Sequence, residues 1–338
     1  MSSSGAQRVA KEVLGLALLV LAALVFAYPL LFMFVASFKP GDAIFTELGS
    51  PTALLPDARW SLANYRSVFE KGSMGAYLIN SGIVSFVTVV AGLFINSAAA
   101  FALAKLKWRG QRFVMTLILA LLIVPFEVLA IPLLLIVSKL PWFDFASGAL
   151  VVGWLDTLHV QIIPFLANAF CVFMFYQFFK DVPDELVEAG RMDGAGALTI
   201  YFRIVLPVCK PVIVTAAIVL FLGMWNQYLW PVMTVYTSGS RPVMVGMQQF
   251  FGRTNQWGEI MAYASIVTLP VFDPGVNGGS SIVGFLQVFI TGVQDSGTNV
   301  VINGVILNAF GCGSSIGNGT GNTQGPAGAP FLVRLVHQ

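Results

Sequence analysis

The stretch Lys180–Pro211 reads KDVPDELVEAGRMDGAGALTIYFRIVLPVCKP, and its reading decides how the rest of the chain is understood. Pro183 suits the first turn of a helix, and Asp184 and Glu185 put negative charge where the helix dipole favours it. The pattern predicts a short helix to about Met192, a sharp turn at Gly194 and Gly196, and a second short helix. On that second helix Leu198, Tyr201, Ile204 and Val205 are expected on one face and Thr199 and Arg203 on the other. Pro207 and Pro211 are expected to end it and restart the chain. The product is a compact helix–turn–helix, half apolar and half charged, of the kind that docks into a groove on a soluble partner. An amphipathic loop lying on lipid headgroups favours many Lys and Arg. Here five acidic residues (Asp181, Asp184, Glu185, Glu188, Asp193) outnumber four basic ones, which argues against that reading.

What flanks this stretch is apolar. The 338-residue chain is 57% hydrophobic and 10% charged, with a mean hydropathy of +0.82. A soluble domain carries about 25% charged residues, so the balance points to lipid as the solvent. A bilayer core needs about 20 apolar residues in a helix. Five segments meet that length: Val13–Phe38, Tyr77–Ala104, Phe113–Ser138, Val160–Phe179 and Val212–Tyr236. A sixth candidate, Ile260–Phe272, has only 13 residues before Asp273-Pro274-Gly275 interrupts it. At 1.5 Å per residue it covers about 20 Å, short of the core. The fold class is therefore an all-α membrane helix bundle with five full spans and a truncated sixth.

Basic residues orient the bundle. Residues 1–12, the connection after the second span and the stretch 180–211 share one side and hold 10 of the 18 Lys and Arg. The positive-inside rule makes that side the cytoplasm, with the N-terminus inside. A net charge of +2 and the lack of a basic run with interleaved aromatics argue against nucleic acid as a partner. Cys171, Cys209 and Cys312 have no motif spacing, and His159 and His337 are too few and too far apart for a metal cluster. No convincing nucleophile–base or metal constellation suggests an enzyme.

The stretch resembles the EAA loop of ABC-importer permeases, whose pattern is E-A-A-x-x-D-G-A, five residues, then F-x-x-I-x-L-P. Glu188, Ala189, Asp193, Gly194, Ala195, Ile204, Leu206 and Pro207 stand at matching positions. Gly190 replaces the third motif residue, Ala, which would loosen the first helix by up to about 1 kcal/mol, and Tyr201 replaces the Phe. The resemblance runs from about Phe32 to Val271 and includes Ser37–Pro40, Asn64-Tyr65, Asn80-Ser81, Pro183–Gly190, Trp225–Pro231 and Thr268–Val271. These together are similar to the carbohydrate-uptake branch, specifically the second maltose permease. The resemblance implies a type I ABC-importer fold, a dimer of ATP-binding-cassette ATPase subunits gripping the loop, a second permease subunit and an extracytoplasmic solute-binding protein. ATP and Mg would sit in the ATPase, and the sequence agrees in lacking G-x-x-x-x-G-K-[ST].

Polar residues inside the spans are the candidates for a translocation pathway. Glu127 is the only ionisable residue within the five spans. It either faces a cavity or partner, or reaches the interface near the break expected from Pro125 and Pro132. Trp225, Asn226 and Gln227 sit in the fifth span. They either grip a sugar by stacking and amide hydrogen bonds or join helices within the lipid, as Asn and Gln do.

The reading divides the chain into residues 1–12 (cytoplasmic), 13–272 (transmembrane, with the coupling loop 180–211) and 273–338 (a Gly-, Asn- and Ser-rich tail). In the tail Ser281–Val293, Asn299–Phe310 and Phe331–Val336 read as short strands and Gly311–Pro330 as a linker. Val271–Val293 weakly resembles the C-terminal end of TadG-like proteins of pilus assembly, which lie outside the cytoplasm; a chimeric or frame-shifted reading frame is the other account. Two further function classes remain at this point. An ion-coupled secondary transporter would use intramembrane carboxylates, of which there is one. The other is a non-transporting membrane scaffold presenting the tail.

Overall fold

A computed structural model of the chain describes residues 3–46, 60–144, 148–251 and 256–271. The expected tail lies outside the described residues, as does the tail's weak resemblance. Helix α1 (Ser3–Ala36) is followed by the short α2 (Gly41–Thr46) and α3 (Ala63–Gly72), then by the long α4 (Met74–Lys105). Next come α5 (Gln111–Leu121), α6 (Phe126–Val137), strands β1 (Pro141–Asp144) and β2 (Ala149–Val152), α7 (Leu158–Ile162) and α8 (Ala169–Asp181). The chain continues through α9 (Asp184–Met192), α10 (Ala197–Ile200), a π-helical turn (Tyr201–Val205), α11 (Leu206–Val208) and α12 (Lys210–Trp225). It closes on α13 (Leu229–Thr234), α14 (Val243–Gly246) and α15 (Trp257–Thr268).

Among the described residues three helical stretches are long and apolar enough to cross a membrane: Val13–Ala36, Met74–Lys105 and Leu158–Asp181. Bent pairs supply two more. The expected span Phe113–Ser138 is two helices, α5 and α6, meeting at 105°. Residues 122–125 make the break, with Pro125 extended ahead of α6, whereas Pro132 sits inside α6 without ending it. The second bent pair, Ala197–Val208 with α12, turns by 86° at Cys209. The expected fifth span, Val212–Tyr236, is likewise divided: α12 stops at Trp225 and α13 begins at Leu229. The sixth segment begins three residues earlier than expected, at Trp257.

Helix α4 is the spine. Its buried side includes Asn80, Ser81, Ser85, Thr88, Gly92, Asn96 and Ser97, a stripe of small and polar residues. Apolar surface gives helices no reason to associate in lipid, so close backbone packing and interhelical hydrogen bonds must hold them. Asn96, wholly buried, donates to the carbonyls of Gly92 (2.7 Å) and Leu166 (3.0 Å) and accepts the Asn168 N–H at 2.8 Å. It thereby satisfies the irregular backbone between α7 and α8. The Asn168 side chain then caps α8 by accepting the Cys171 N–H at 3.0 Å. At the other end of α4, Asn80 donates to the carbonyls of Gly239 (2.9 Å) and Arg241 (3.0 Å), and Ser81 Oγ accepts the Val243 N–H at 2.8 Å.

The motif residues outside the coupling loop have structural roles. Asn64 donates to the carbonyls of Ser37 and Lys39, both at 2.8 Å, closing the C-terminal end of α1, and Tyr65 Oη pairs with Ser37 Oγ at 2.7 Å. Between α6 and α7 stands a two-stranded antiparallel hairpin that the sequence reading did not foresee, with Trp142 opposite Val151 and Phe143 opposite Leu150. Its base is tied to the end of α6 through Gly153 N–H to Leu140 O and Trp154 N–H to Val137 O, both 2.9 Å.

Candidate functional site

The coupling loop folds as a helical hairpin. Helix α9 begins one residue after Pro183, with Asp184 and Glu185 in its first turn and Arg191 in its last, the charge order its dipole favours. It ends in a Schellman motif. The Ala195 N–H reaches Gly190 O at 2.9 Å and the Gly194 N–H reaches Arg191 O at 3.0 Å. This closure needs a left-handed residue at 194, and Gly194 has φ +79°. The other special glycine is Gly190, which stands where the family has Ala. A Cβ there would lie 2.7 Å from Ile204 Cδ1, the flexible end of that side chain, which would have to shift to admit it.

The second arm departs from the expected helix. Ile200, Tyr201 and Val205 are buried, with Ile204 partly so, while Leu198 is 73% exposed and not on the inner face. Leu198 keeps the i, i+3 spacing to Tyr201, but it stands in the first turn of the arm, ahead of the π turn Tyr201–Val205, and is exposed there. Pro207 does not end the arm. It has no N–H for the preceding turn, its ring crowds the carbonyl of Arg203, and the wide π turn Tyr201–Val205 accommodates both. The chain breaks instead at Cys209, whose N–H is shared between Val205 O and Leu206 O, both at 3.2 Å.

These turns sort the motif into two sets. Glu188, Ala189, Asp193, Gly194 and Pro207 stand exposed, together with the apolar tips Met192 (88% exposed) and Leu198. Gly190, Tyr201 and Val205 face inward, with Ala195, Ile204 and Leu206 half-buried between the sets. Tyr201 faces α4: its hydroxyl pairs with Ser97 Oγ at 2.6 Å, and its ring lies 5.3 Å from that of Phe101.

Lys105, at the end of α4, was read from the sequence only as a topology-setting charge. Its side chain is 4% exposed, and Nζ donates to Val182 O and to Asp184 Oδ1, each at 2.6 Å. The hydrogen bond and charge of Lys105 hold the Asp184 carboxyl below the usual carboxylate range. Arg191 donates to Lys105 O at 3.3 Å, and Trp108 to Ala102 O at 3.1 Å; Gln111 donates to Leu103 O. The last carbonyls of α4 are thus capped partly by the coupling loop itself. A sequence signal existed: Ser97, Phe101 and Lys105 recur every fourth residue, placing them on one face.

The candidate pathway residues lie apart from this hairpin, at breaks in the helices. Glu127 is exposed in the first turn of α6, just past the 105° bend. Trp225 is buried, with its indole N–H donating to Val267 O at 3.0 Å, and so joins α12 to the end of α15. Asn226 is exposed and turns its amide back to Leu222 O at 3.0 Å; Gln227 beside it is half-buried.

The profile of the "Binding-protein-dependent transport system inner membrane component" family matches residues 88–272. The sn-glycerol-3-phosphate transport system permease protein UgpE of Yersinia pestis is 29% identical over 262 residues, covering 75% of this chain and 87% of that protein. The arabinooligosaccharides transport system permease protein AraQ of Halalkalibacterium halodurans is 28% identical over 248 residues, covering 73% and 84%. Among solved structures, a bacterial ABC transporter involved in the import of the acidic polysaccharide alginate superposes with a TM-score of 0.65 at 22% identity, covering 88% of this chain and 99% of that one.

Proposed function

Because the chain belongs to the family of binding-protein-dependent transport system inner membrane components, we propose that it passes a carbohydrate or related polar solute inward through the membrane, driven by ATP hydrolysis in a partner. As an ABC permease subunit it is not itself an enzyme; in such systems the ATPase is a separate subunit. The observation that carries the reading is the coupling hairpin, with its rim of Met192, Leu198, Glu188 and Asp193 exposed and its inner face fixed to α4. A short, rigid, amphipathic lever suits a groove on an ATPase. It transmits work if the docked complex has different free energies in its inward-open and outward-open states.

The partners are then two ATPase subunits holding ATP and Mg, a second permease subunit and an extracytoplasmic solute-binding protein. The N-terminus and residues 180–211 face the cytoplasm, and residues 13–272 form the transmembrane domain. Glycerol phosphate, arabino-oligosaccharides and alginate, the solutes named for similar proteins, are all polyhydroxylated, which favours a solute of that chemistry. Asn226, Gln227 and Glu127, at the helix breaks, are the candidate contacts; Trp225 supports them from its bond to Val267.

The test is co-purification and uptake. Pro cannot adopt the φ of +79° at position 194 and removes the N–H that closes the turn. Gly194→Pro and Asp193→Lys are each expected to cut recovery of the ATPase on the tagged chain at least tenfold. Unchanged recovery would remove the docking role. Asn226→Ala with Gln227→Ala is expected to lower uptake of labelled glycerol 3-phosphate or arabino-oligosaccharide, whichever the wild type carries, with the ATPase still bound; equal uptake would exclude these two side chains from the pathway.

A further inference from the structure

Motion of the coupling hairpin has few routes across the membrane. The α5–α6 path bends by 105°, and the path from the hairpin into α12 bends by 86°. Helices α7 and α8 are separated by a 3-10 turn and the irregular residues 166–168. Helix α1 is continuous, but none of its most apolar stretch is buried. Among the described residues, α4 alone is both unbroken and packed. It has no proline, and a helix without proline or a π-bulge resists kinking.

It is also held at both ends. Lys105 and Ser97, about 12 Å apart along the axis, hold the start of α9 and the π turn respectively. Asn80 and Ser81, about 37 Å from Lys105, hold the segment 239–243. The Ser97–Tyr201 bond exists because position 201 is Tyr; a Phe there has no hydroxyl to share.

We propose that α4 and the coupling hairpin move as one body, with Lys105 and Tyr201 as positioning residues that carry the hairpin's displacement to the 239–243 segment. The proposal rests on the permease reading, since it needs an ATPase to displace the hairpin. Two anchor points on one helix fix both the position and the rotation of the hairpin about α4. Removing either leaves a pivot, and work done on the hairpin then dissipates as local movement.

The measurement uses the complex purified with its ATPase through a tag on this chain. Cys312→Ser with Ser238→Cys places one environment-sensitive label beside the 239–243 segment, since Cys171 and Cys209 are buried. Trapping with Mg-ATP and orthovanadate is expected to shift the label's emission in the otherwise wild-type complex. Per mole of trapped nucleotide, Tyr201→Phe is expected to reduce that shift about twofold and Lys105→Met with Tyr201→Phe to reduce it at least fivefold. Lys105→Arg, which keeps a donor for Val182 O and Asp184, is expected to restore most of it. A full shift in the double variant would overturn the proposal and leave the permease reading intact. A wild-type chain that recovers no ATPase would overturn both. Should the double variant fail to assemble, Tyr201→Phe decides alone, because it removes one oxygen; an undiminished shift there ends the proposal.

Discussion

Helices α1 and α4 differ by only two residues in length, 34 against 32, and both contain a stretch apolar enough to cross a membrane. In α1 none of that stretch is buried; in α4 a third of it is. Hydrophobicity does not explain the contrast, because the stretch in α1 is the more apolar of the two. From Val13 to Ala36 the sequence has no Ser, Thr, Asn or Gln, whereas α4 has Asn80, Ser81, Ser85, Thr88, Asn96 and Ser97 on its buried side. Apolar length decides which segments enter lipid. Small and polar residues decide which of them pack. Helix α1 packs against α15, and the turn that follows it is closed by Asn64 and Tyr65 on Ser37 and Lys39.

The largest expected effect comes from making α4 resemble α1. Asn96→Leu keeps the size of the side chain and removes three hydrogen bonds, leaving the Asn168 N–H and the Leu166 carbonyl unpaired at a helix break. Each of the two orphaned buried groups costs about 1–3 kcal/mol, so a loss of about 2–6 kcal/mol is expected in detergent-denaturation experiments. A loss below about 0.5 kcal/mol would mean that shape, not polarity, holds α4 in place.

A second test concerns the segment that α4 holds at its far end. Burial raises the Asp156 pKa, but the backbone N–H groups of Thr237 and Tyr236 and the charge of Arg241 outweigh it, so the carboxyl lies below the usual range. A depressed folded pKa gives stability that is present above the unfolded value, about 3.9, and lost as pH falls through the folded one. The melting temperature of the wild type is therefore expected to fall below about pH 4. Asp156→Asn, which tolerates the φ of +62° at this position, is expected to remove part of that dependence. Identical pH profiles for the two proteins would show that the Asp156 charge does not hold residues 236 and 237.

Much of this was legible in the sequence because it depends on local pattern. Apolar runs placed the spans, and Pro183 with Gly194 bounded α9 to within a residue of its observed limits. Breaks were legible only as proline positions. Pro125 and Pro132 look alike in sequence, yet the chain turns at the first and the helix continues past the second. The placement of Leu198 failed for a local reason: it stands in the first turn of the arm, ahead of the π turn, and is exposed there. Lys105 was missed because its two acceptors lie 77 and 79 residues away, and only the fold brings them together.

The smallest effect is expected where the contrast is purest. Leu21 on α1 is 58% exposed, and Val84 on α4 is 3% exposed. Leu21→Ala removes more atoms than Val84→Ala, so a stability governed by apolar mass would fall further for Leu21. Lipid or detergent replaces whatever Leu21 loses, and its substitution is expected to stay within about 0.5 kcal/mol of wild type. Val84→Ala opens a space inside the bundle that no tail can enter, at about 1 kcal/mol or more. Paired denaturation midpoints in one detergent give the order directly. If Leu21→Ala proves the more harmful of the two, α1 has a protein partner along its length, and its exposure in the isolated chain marks an interface with another subunit.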